Sequence, residues 1–495
     1  MIRGETDRSD DFTLKKTLFL HANSAKLIFF DMKQHAVLNK HSKMTTAPVG
    51  GLIAQMAIPT TISMLITSFY VMADTYFVGK IDTQSTAAVG VSFSVMAIIQ
   101  AFGFFFGHGS GNFMSRALGA KDLKSASQMA STGFFYSFFT GLLIMLTGLV
   151  FLTPLCRMLG STETILPYAE NYLQIILWGA PFMAASMTLN NQLRFQGTPV
   201  YAMIGVVIGA VLNVALDPLL IFTFHMGIRG AAYSTLISQV CSFLVLVALT
   251  YRKNSISIRF KDFSWNRNYV KEIIYGGSPS LCRQSLVSIA TIMMNVAAGT
   301  FGDAAIAGVS IVTRICLFIN SFVIGLGQGF QPVCGFNYGA GLYPRVREGF
   351  WLCVKAGGIF LTICSIIGYI YSPEVVSWFR AEDPQVIEIG ARTLRWQLIT
   401  LPLGSWVILC NMMLQTIRKP AKAIILSSAR QGLFFIPLIL VLPSLLGLQG
   451  VEMCQAVADF CSFLLAIPLT VPVLKSLHEN ASSHTHEYLG ESELE

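Results

Sequence analysis

Unbroken apolar stretches, separated by short polar interruptions, run from about residue 50 to residue 475. Crossing a bilayer takes about 20 apolar residues in a helix. Twelve stretches qualify: 52–78, 86–112, 126–152, 165–190, 199–224, 230–250, 272–299, 304–333, 350–371, 391–416, 421–446 and 450–474. The runs are long and continuous, unlike the short alternating segments of a membrane β-barrel. The pattern therefore predicts an all-α polytopic membrane protein with twelve transmembrane helices. Residues 1–50 hold only brief apolar pieces, at 18–20 and 27–30, too short for a signal-peptide core or a span. They read as a cytoplasmic, mobile tail, and the part before Met44 is equally accounted for by start-codon choice. Residues 477–495 read as a polar, acidic C-terminal tail.

The second half of the pattern repeats the first. Pro59 and Pro279 lie 220 residues apart, Gly90 and Gly308 218, and Gly119-Ala120 and Gly339-Ala340 220. Pro154 and Pro373 differ by 219, Pro181 and Pro402 by 221, and Pro199 and Pro420 by 221. A unit of six spans returns to its starting side, so the two units share one orientation. This predicts an N-lobe (51–252) and a C-lobe (272–476), joined by a basic cytoplasmic linker (253–271). Their pseudo-twofold axis runs along the membrane normal, and a binding cavity is expected between them.

Composition adds only a little. Of the 495 residues, 53% are hydrophobic and 12% charged, against about 25% charged in soluble domains. The net charge of +8 sits in loops on one side, as expected for cytoplasmic loops rather than for nucleic-acid binding. That side holds Arg116, Lys121, Lys124, Arg194, the 251–271 segment, Arg345, Arg347, Arg418, Lys419 and Lys422. The other has little beyond Lys80, Arg157, Arg229, Arg380 and Arg392. Both termini are therefore expected in the cytoplasm of a cell-membrane protein, with odd-numbered spans running outward. The ten cysteines are scattered without a CxxC pair and read as small packing residues. His108, in a Gly-rich membrane segment, reads first as a helix-packing residue.

Polar groups inside the spans are costly and mark function by default. In span 1, Ser63, Thr67, Tyr70 and Asp74 share one helical face. In span 5, Gly205, Gly209, Asn213 and Asp217 recur every fourth residue, and Pro218 withholds an N–H from the Val214 carbonyl. Asp74, Asp217 and Thr235 of span 6 fall at similar depths in the outer half. Two carboxylates with an amide, a hydroxyl and a free carbonyl suit a small hard cation, or a shared proton. Asp74 is also readable as an interfacial residue reaching water, and Asp217 as a helix–helix hydrogen-bond partner. The C-lobe has no acid within spans 7, 8 or 10. Instead it places Arg283, Arg314 and Arg430 near mid-membrane, with Asp459 in span 12 as the expected partner of one of them. A gate or anion-contacting role is the alternative. Candidate cavity residues are Met64, Phe69, Asn190, Gln192, Asn295, Met412 and Gln415, although methionine in a membrane core is more often plain packing.

Four runs together resemble the MATE (multidrug and toxic compound extrusion) family. They are Asp74-Thr75-Tyr76-Phe77-Val78-Gly79, Arg116-Ala117-Leu118-Gly119-Ala120-Lys121-Asp122, Arg194-Phe195-Gln196-Gly197-Thr198-Pro199, and Asn213 with Asp217-Pro218. The stretch Ser278-Pro279-Ser280-Leu281-Cys282-Arg283-Gln284 is most similar to its MepA-type bacterial branch. The resemblance implies an antiporter, not an enzyme, that exports amphipathic, often cationic compounds in exchange for H+ or Na+ by alternating access. It implies an N-lobe ion site at Asp74, Asn213, Asp217 and Thr235, with Pro59 as a kink point in the first helix, and no cofactor beyond the coupling ion. The expected partners are small organic substrates and lipid, and the chain is expected to be a monomer. Two other classes stay in view. One is a flippase for a lipid-linked saccharide, whose pyrophosphate the arginines would meet; the other, less supported, is a channel or membrane-embedded enzyme.

Overall fold

The computed structural model describes residues 41–252, 255–379 and 383–492, with side chains described as far as Glu479. Eleven helices in it are long and apolar enough to cross a membrane, and a bent pair makes a twelfth. The spans are α1 (Val49–Gly79), α2 (Thr83–Gly119), α3 (Leu123–Val150), α4 (Leu166–Phe195), α5 (Pro199–Thr223), α6 (Ile228–Thr250), α7 (Arg267–Gly299), α8 (Asp303–Gly339) and α9 (Tyr343–Ile370). α10 is the bent pair Pro384–Thr400 and Leu403–Thr416, followed by α11 (Pro420–Leu446) and α12 (Leu448–Ser492). No strand occurs among the described residues. Leu143, Val211, Ile359, Ile366 and Leu440 are exposed on the bundle surface, where an apolar side chain is stable only against lipid.

Local chemistry sets the helix ends. Asp82 and Asp122 cap α2 and α3 by accepting the N–H groups of Ser85 (2.6 Å) and Ser125 (3.0 Å). Pro199, Pro384 and Pro420 open α5, the first half of α10 and α11, where a missing N–H costs nothing. Pro402 falls inside the tenth span, which was expected to be continuous. It removes a ladder hydrogen bond, and the two halves meet at 56°.

The six-span repeat is visible in matched contacts. Asn190 donates to the Ala202 carbonyl (3.0 Å) in the first unit, and Asn411 to the Ala423 carbonyl (2.8 Å) in the second, each residue 221 positions from its counterpart. Between the units, α1 packs on α8 as α7 packs on α2. Glycine permits the closest approach: a Cβ on Gly119 would run into the Phe336 carbonyl, and one on Gly339 into the Arg116 carbonyl.

Three boundaries differ from the sequence reading. Residues 1–40 lie outside the described residues, but 41–46 are helical and Met44 is 2% exposed. Asn337 donates to the Met44 carbonyl (3.2 Å) and His41 Nε2 lies 2.9 Å from the Gly119 carbonyl, so this stretch is packed rather than mobile. The linker lies docked on the N-lobe. The backbone N–H groups of Ile256, Arg259 and Ser264 donate to Gln196, Ser131 and Thr132 of the N-lobe (2.7, 3.1 and 3.1 Å). Phe260, Phe263 and Trp265 pack on Phe135 and Tyr136. At the other terminus α12 continues through Ser492, and Leu474 and Leu477 are buried in the core.

Candidate functional site

The glycine face of α5 lets α6 approach closely and sets the register of the pair. A Cβ on Gly205 would meet Leu246 and one on Gly209 would meet Ser242, while the Ser242 hydroxyl donates to the Gly205 carbonyl (2.8 Å). One turn further on, Asn213 faces Ser234 and Thr235. Its Nδ2 donates to the Ser234 hydroxyl (3.1 Å) and approaches the Thr235 hydroxyl (3.5 Å), and Ser234 donates back to the Asn213 carbonyl (3.0 Å). Asp217, one turn beyond, is fully buried. Ser234 lies beside it, but its proton goes to Asn213, and neither Asp217 oxygen has a hydrogen-bond partner among the described residues.

α1 brings Asp74 and Tyr70 to the same place, close enough for the two carboxylates to feel each other's charge. Asp74 is half-buried and its Oδ1 is also unpartnered. The other hydroxyls of the α1 face are satisfied by their own helix: Ser63 donates to the Pro59 carbonyl and Thr67 to the Ser63 carbonyl, both at 2.8 Å. Pro218 gives no N–H to the Val214 carbonyl, and the next N–H, from Leu219, goes to the Leu216 carbonyl before a π-helical turn over Leu219–Thr223. The donor set is thus all oxygen, with Asn213 Oδ1 unpartnered as well. Such a set fits a proton held between acids or a hard cation such as Na+.

Two members escaped the sequence reading. Tyr172 of α4, 1% exposed, reaches the Thr235 hydroxyl and feels the charge of Asp74 and Asp217. Among Glu170, Asn171 and Gln174 it reads as an ordinary interfacial tyrosine. Ser234 is adjacent to Thr235, and only the helix register shows that both face Asn213.

The proposed cavity residues have varied surroundings. Gln192 is buried, donating to the Ser110 hydroxyl (2.9 Å) and the Ala130 carbonyl (3.0 Å). Gln415 donates to the Gly276 carbonyl (2.5 Å) and the Ser280 hydroxyl (2.8 Å), and Met412 packs on Gly327. Asn190 is held by α5 as described above. Met64 is half-buried, Asn295 exposed, and Phe69 meets Phe318 of the other lobe edge-on, centroids 6.2 Å apart.

In the C-lobe, Arg430 makes a two-pronged contact with Asp459 (2.7 and 3.1 Å), and Gln455 also donates to Asp459 (2.8 Å). Arg314 is exposed and Arg283 half-buried, and of the three arginines Arg430 is the one paired with Asp459 among the described residues. The expectation of no acid within span 7 is corrected by Glu272. It lies inside α7, 8% exposed, and bridges Arg116 of α2 (2.8 Å) and Arg418 (2.6 Å). A second acid not singled out, Glu452 of α12, is buried against Arg392 (2.8 Å), which sits on α10 rather than in a loop.

The hydrogen bonds between the lobes gather at one end. Arg116 donates to the Thr416 carbonyl (2.7 Å), Thr416 to Asn112 (2.9 Å), and Arg345 to the Ala47 carbonyl (2.5 Å). The deepest cross-lobe hydrogen bonds are His108 with Ser280 (2.8 Å) and Arg194 with Gln328. Beyond that level no hydrogen bond joins the lobes among the described residues.

A family model described as MatE matches residues 59–219 and, a second time, 279–441. The chain belongs to the MatE family. The two matches begin at Pro59 and Pro279, the first pair of the internal repeat. Among relatives, the multidrug export protein MepA of Staphylococcus haemolyticus (strain JCSC1435) is 29% identical over 411 residues, 82% of this chain and 90% of its own. MepA of Staphylococcus aureus (strain MSSA476) is 28% identical over 436 residues, 86% and 96% of the two chains. Among solved structures, an outward-facing multidrug resistance MATE family transporter of the MOP superfamily superposes with a TM-score of 0.84 at 26% identity, over 89% of this chain and 99% of that one. This MatE protein is thus a multi-pass membrane protein with the two-lobe, twelve-helix fold of the family.

Proposed function

We propose that this protein exports amphipathic organic compounds in exchange for H+ or Na+, alternating between states open to either side. The observation that carries the reading is the pair of acids, Asp74 and Asp217, set on two helices with unpartnered oxygens beside Asn213, Thr235 and Tyr172. A membrane chain retains uncompensated carboxylates at a cost, and ion coupling uses them. The names of the staphylococcal relatives support export of drugs. With the basic loops in the cytoplasm, both termini and the closed end of the lobe interface face inward, so the conformation described is outward-facing.

Coupling runs through α1. It carries Asp74 and Tyr70 at the ion site, and about two and a half to five turns nearer the closed end it packs Ala57 and Thr61 against Gly329 and Gly325 of α8. Neutralising the acids alters how α1 sits on α5, and Pro59 weakens the helix next to the α8 contact. One cation moving inward supplies about 2.3 kcal/mol per 100 mV. The test is efflux from proteoliposomes under separately imposed proton and Na+ gradients. Efflux under one gradient names the ion; equal efflux with neither gradient overturns the reading.

A further inference from the structure

Basic groups gather on the floor of the space between the lobes, and among the described residues no acid pairs with Arg283 or Arg194. On α7, Ile273, Gly276, Gly277 and Ser280 form the face that packs on α2, against Gly109, Phe105 and His108. Arg283 follows Ser280 by three residues on the same face, one turn beyond the last cross-lobe contact of α7. It is half-buried, and no hydrogen bond or ion pair to it exists among the described residues. His108 lies beneath it within electrostatic reach, 1% exposed, with Nδ1 on Ser280 and Nε2 unpartnered. Arg194, near the same imidazole, is held only by the neutral amides of Gln328 and Asn191.

The buried acids among the described residues are committed elsewhere. Glu272 bridges Arg116 and Arg418, Asp459 holds Arg430, and Glu452 holds Arg392. Asp74 and Asp217 belong to the site on α1 and α5. The repeat shows that this charge is peculiar to one lobe. Arg283 stands 220 residues from Ser63 of α1, whose hydroxyl is satisfied by its own helix. A guanidinium in the membrane plane normally carries a partner, and its planar fork matches a carboxylate, sulfonate or phosphate.

We propose that Arg283, with His108 beneath it, receives the acidic group of a transported amphipathic compound, so that zwitterionic and acidic compounds bind better than their esterified, purely cationic counterparts. That the bound compound is then transported rests on the export reading; the binding itself does not. The full-length purified protein in dodecyl maltoside is titrated by fluorescence anisotropy with rhodamine 110, which bears a free carboxylate, and with its methyl ester, rhodamine 123. The wild type is expected to prefer rhodamine 110 by about tenfold, the scale of a charge-assisted hydrogen bond. Arg283→Gln removes the preference, Arg283→Lys keeps part of it, and rhodamine 123 binding changes by less than about twofold in either. Equal affinity of the wild type for the two dyes, including binding of neither, overturns the proposal, as does a preference that survives Arg283→Gln. Displacement of rhodamine 110 by added phosphatidylglycerol also overturns it, because a lipid phosphate is then the occupant. No ion gradient enters the measurement, so a failure of ion-driven efflux leaves this result standing.

Discussion

Asp217 and Asp459 are both carboxylates buried in the bundle, and their surroundings give them opposite roles. Asp459 is gripped by Arg430 and Gln455, so its charge is compensated and structural. Its replacement by leucine leaves a half-buried guanidinium alone, a change that costs up to about 3 kcal/mol. The expected result is a marked fall in the thermal unfolding temperature in detergent. The double variant Arg430→Met with Asp459→Leu recovers most of that loss. Asp217 has no such grip, so Asp217→Asn is expected to leave the unfolding temperature within a few degrees of wild type while removing ion-driven efflux; Asp74→Asn behaves likewise. Asp217, Asn213 and Asp74 are legible in the sequence because an ionisable or amide group in an apolar run is conspicuous by its cost. Tyr172 and Ser234 are not, since tyrosine and serine are common in membrane helices and only the packing of α4 and α6 reveals what they face. Glu272 is hidden differently. It stands at the edge of the apolar run, where an acid looks like loop, and its burial depends on two arginines more than a hundred residues away in the chain.

Each helix end at the closed face is built for contact with its counterpart in the other lobe. Gly119 and Gly339 end α2 and α8 against the opposing Phe336 and Arg116 carbonyls, where a Cβ has no room. Gly339→Val therefore forces these ends apart. Hydrogen–deuterium exchange is expected to rise in the last turns of α2 and α8 and to stay unchanged in α5 and α6; unchanged exchange in all four shows that the contact is not what holds the ends. Glu272→Gln weakens the bridge between Arg116 and Arg418 and is expected to raise exchange at the same end. The apolar pattern located all twelve spans, because length and continuity are direct consequences of bilayer thickness. It did not reveal the bend of α10, since Pro181 at the equivalent place lies within an unbroken α4. Nor did it reveal the docking of the 255–266 segment, which depends on single side chains, Gln196, Ser131 and Thr132, meeting backbone N–H groups.

The molecule as a whole is two copies of one plan with different chemistry written into each. The repeat was readable from prolines and glycines because those residues punctuate helices wherever they fall, and the family match divides the chain at the same places. The N-lobe carries the unpartnered acids; the corresponding lobe pairs its buried acids and leaves Arg283 without a partner among the described residues. Cross-lobe hydrogen bonds gathered at one end suit the alternation proposed above, with α1 running from the proposed ion site to the α8 contact. The most direct test is efflux from proteoliposomes by wild type and Asp217→Asn under proton and Na+ gradients imposed one at a time. The account predicts that one gradient drives efflux by the wild type and neither drives it through the folded variant. Gradient-driven efflux by Asp217→Asn at the wild-type rate would contradict it.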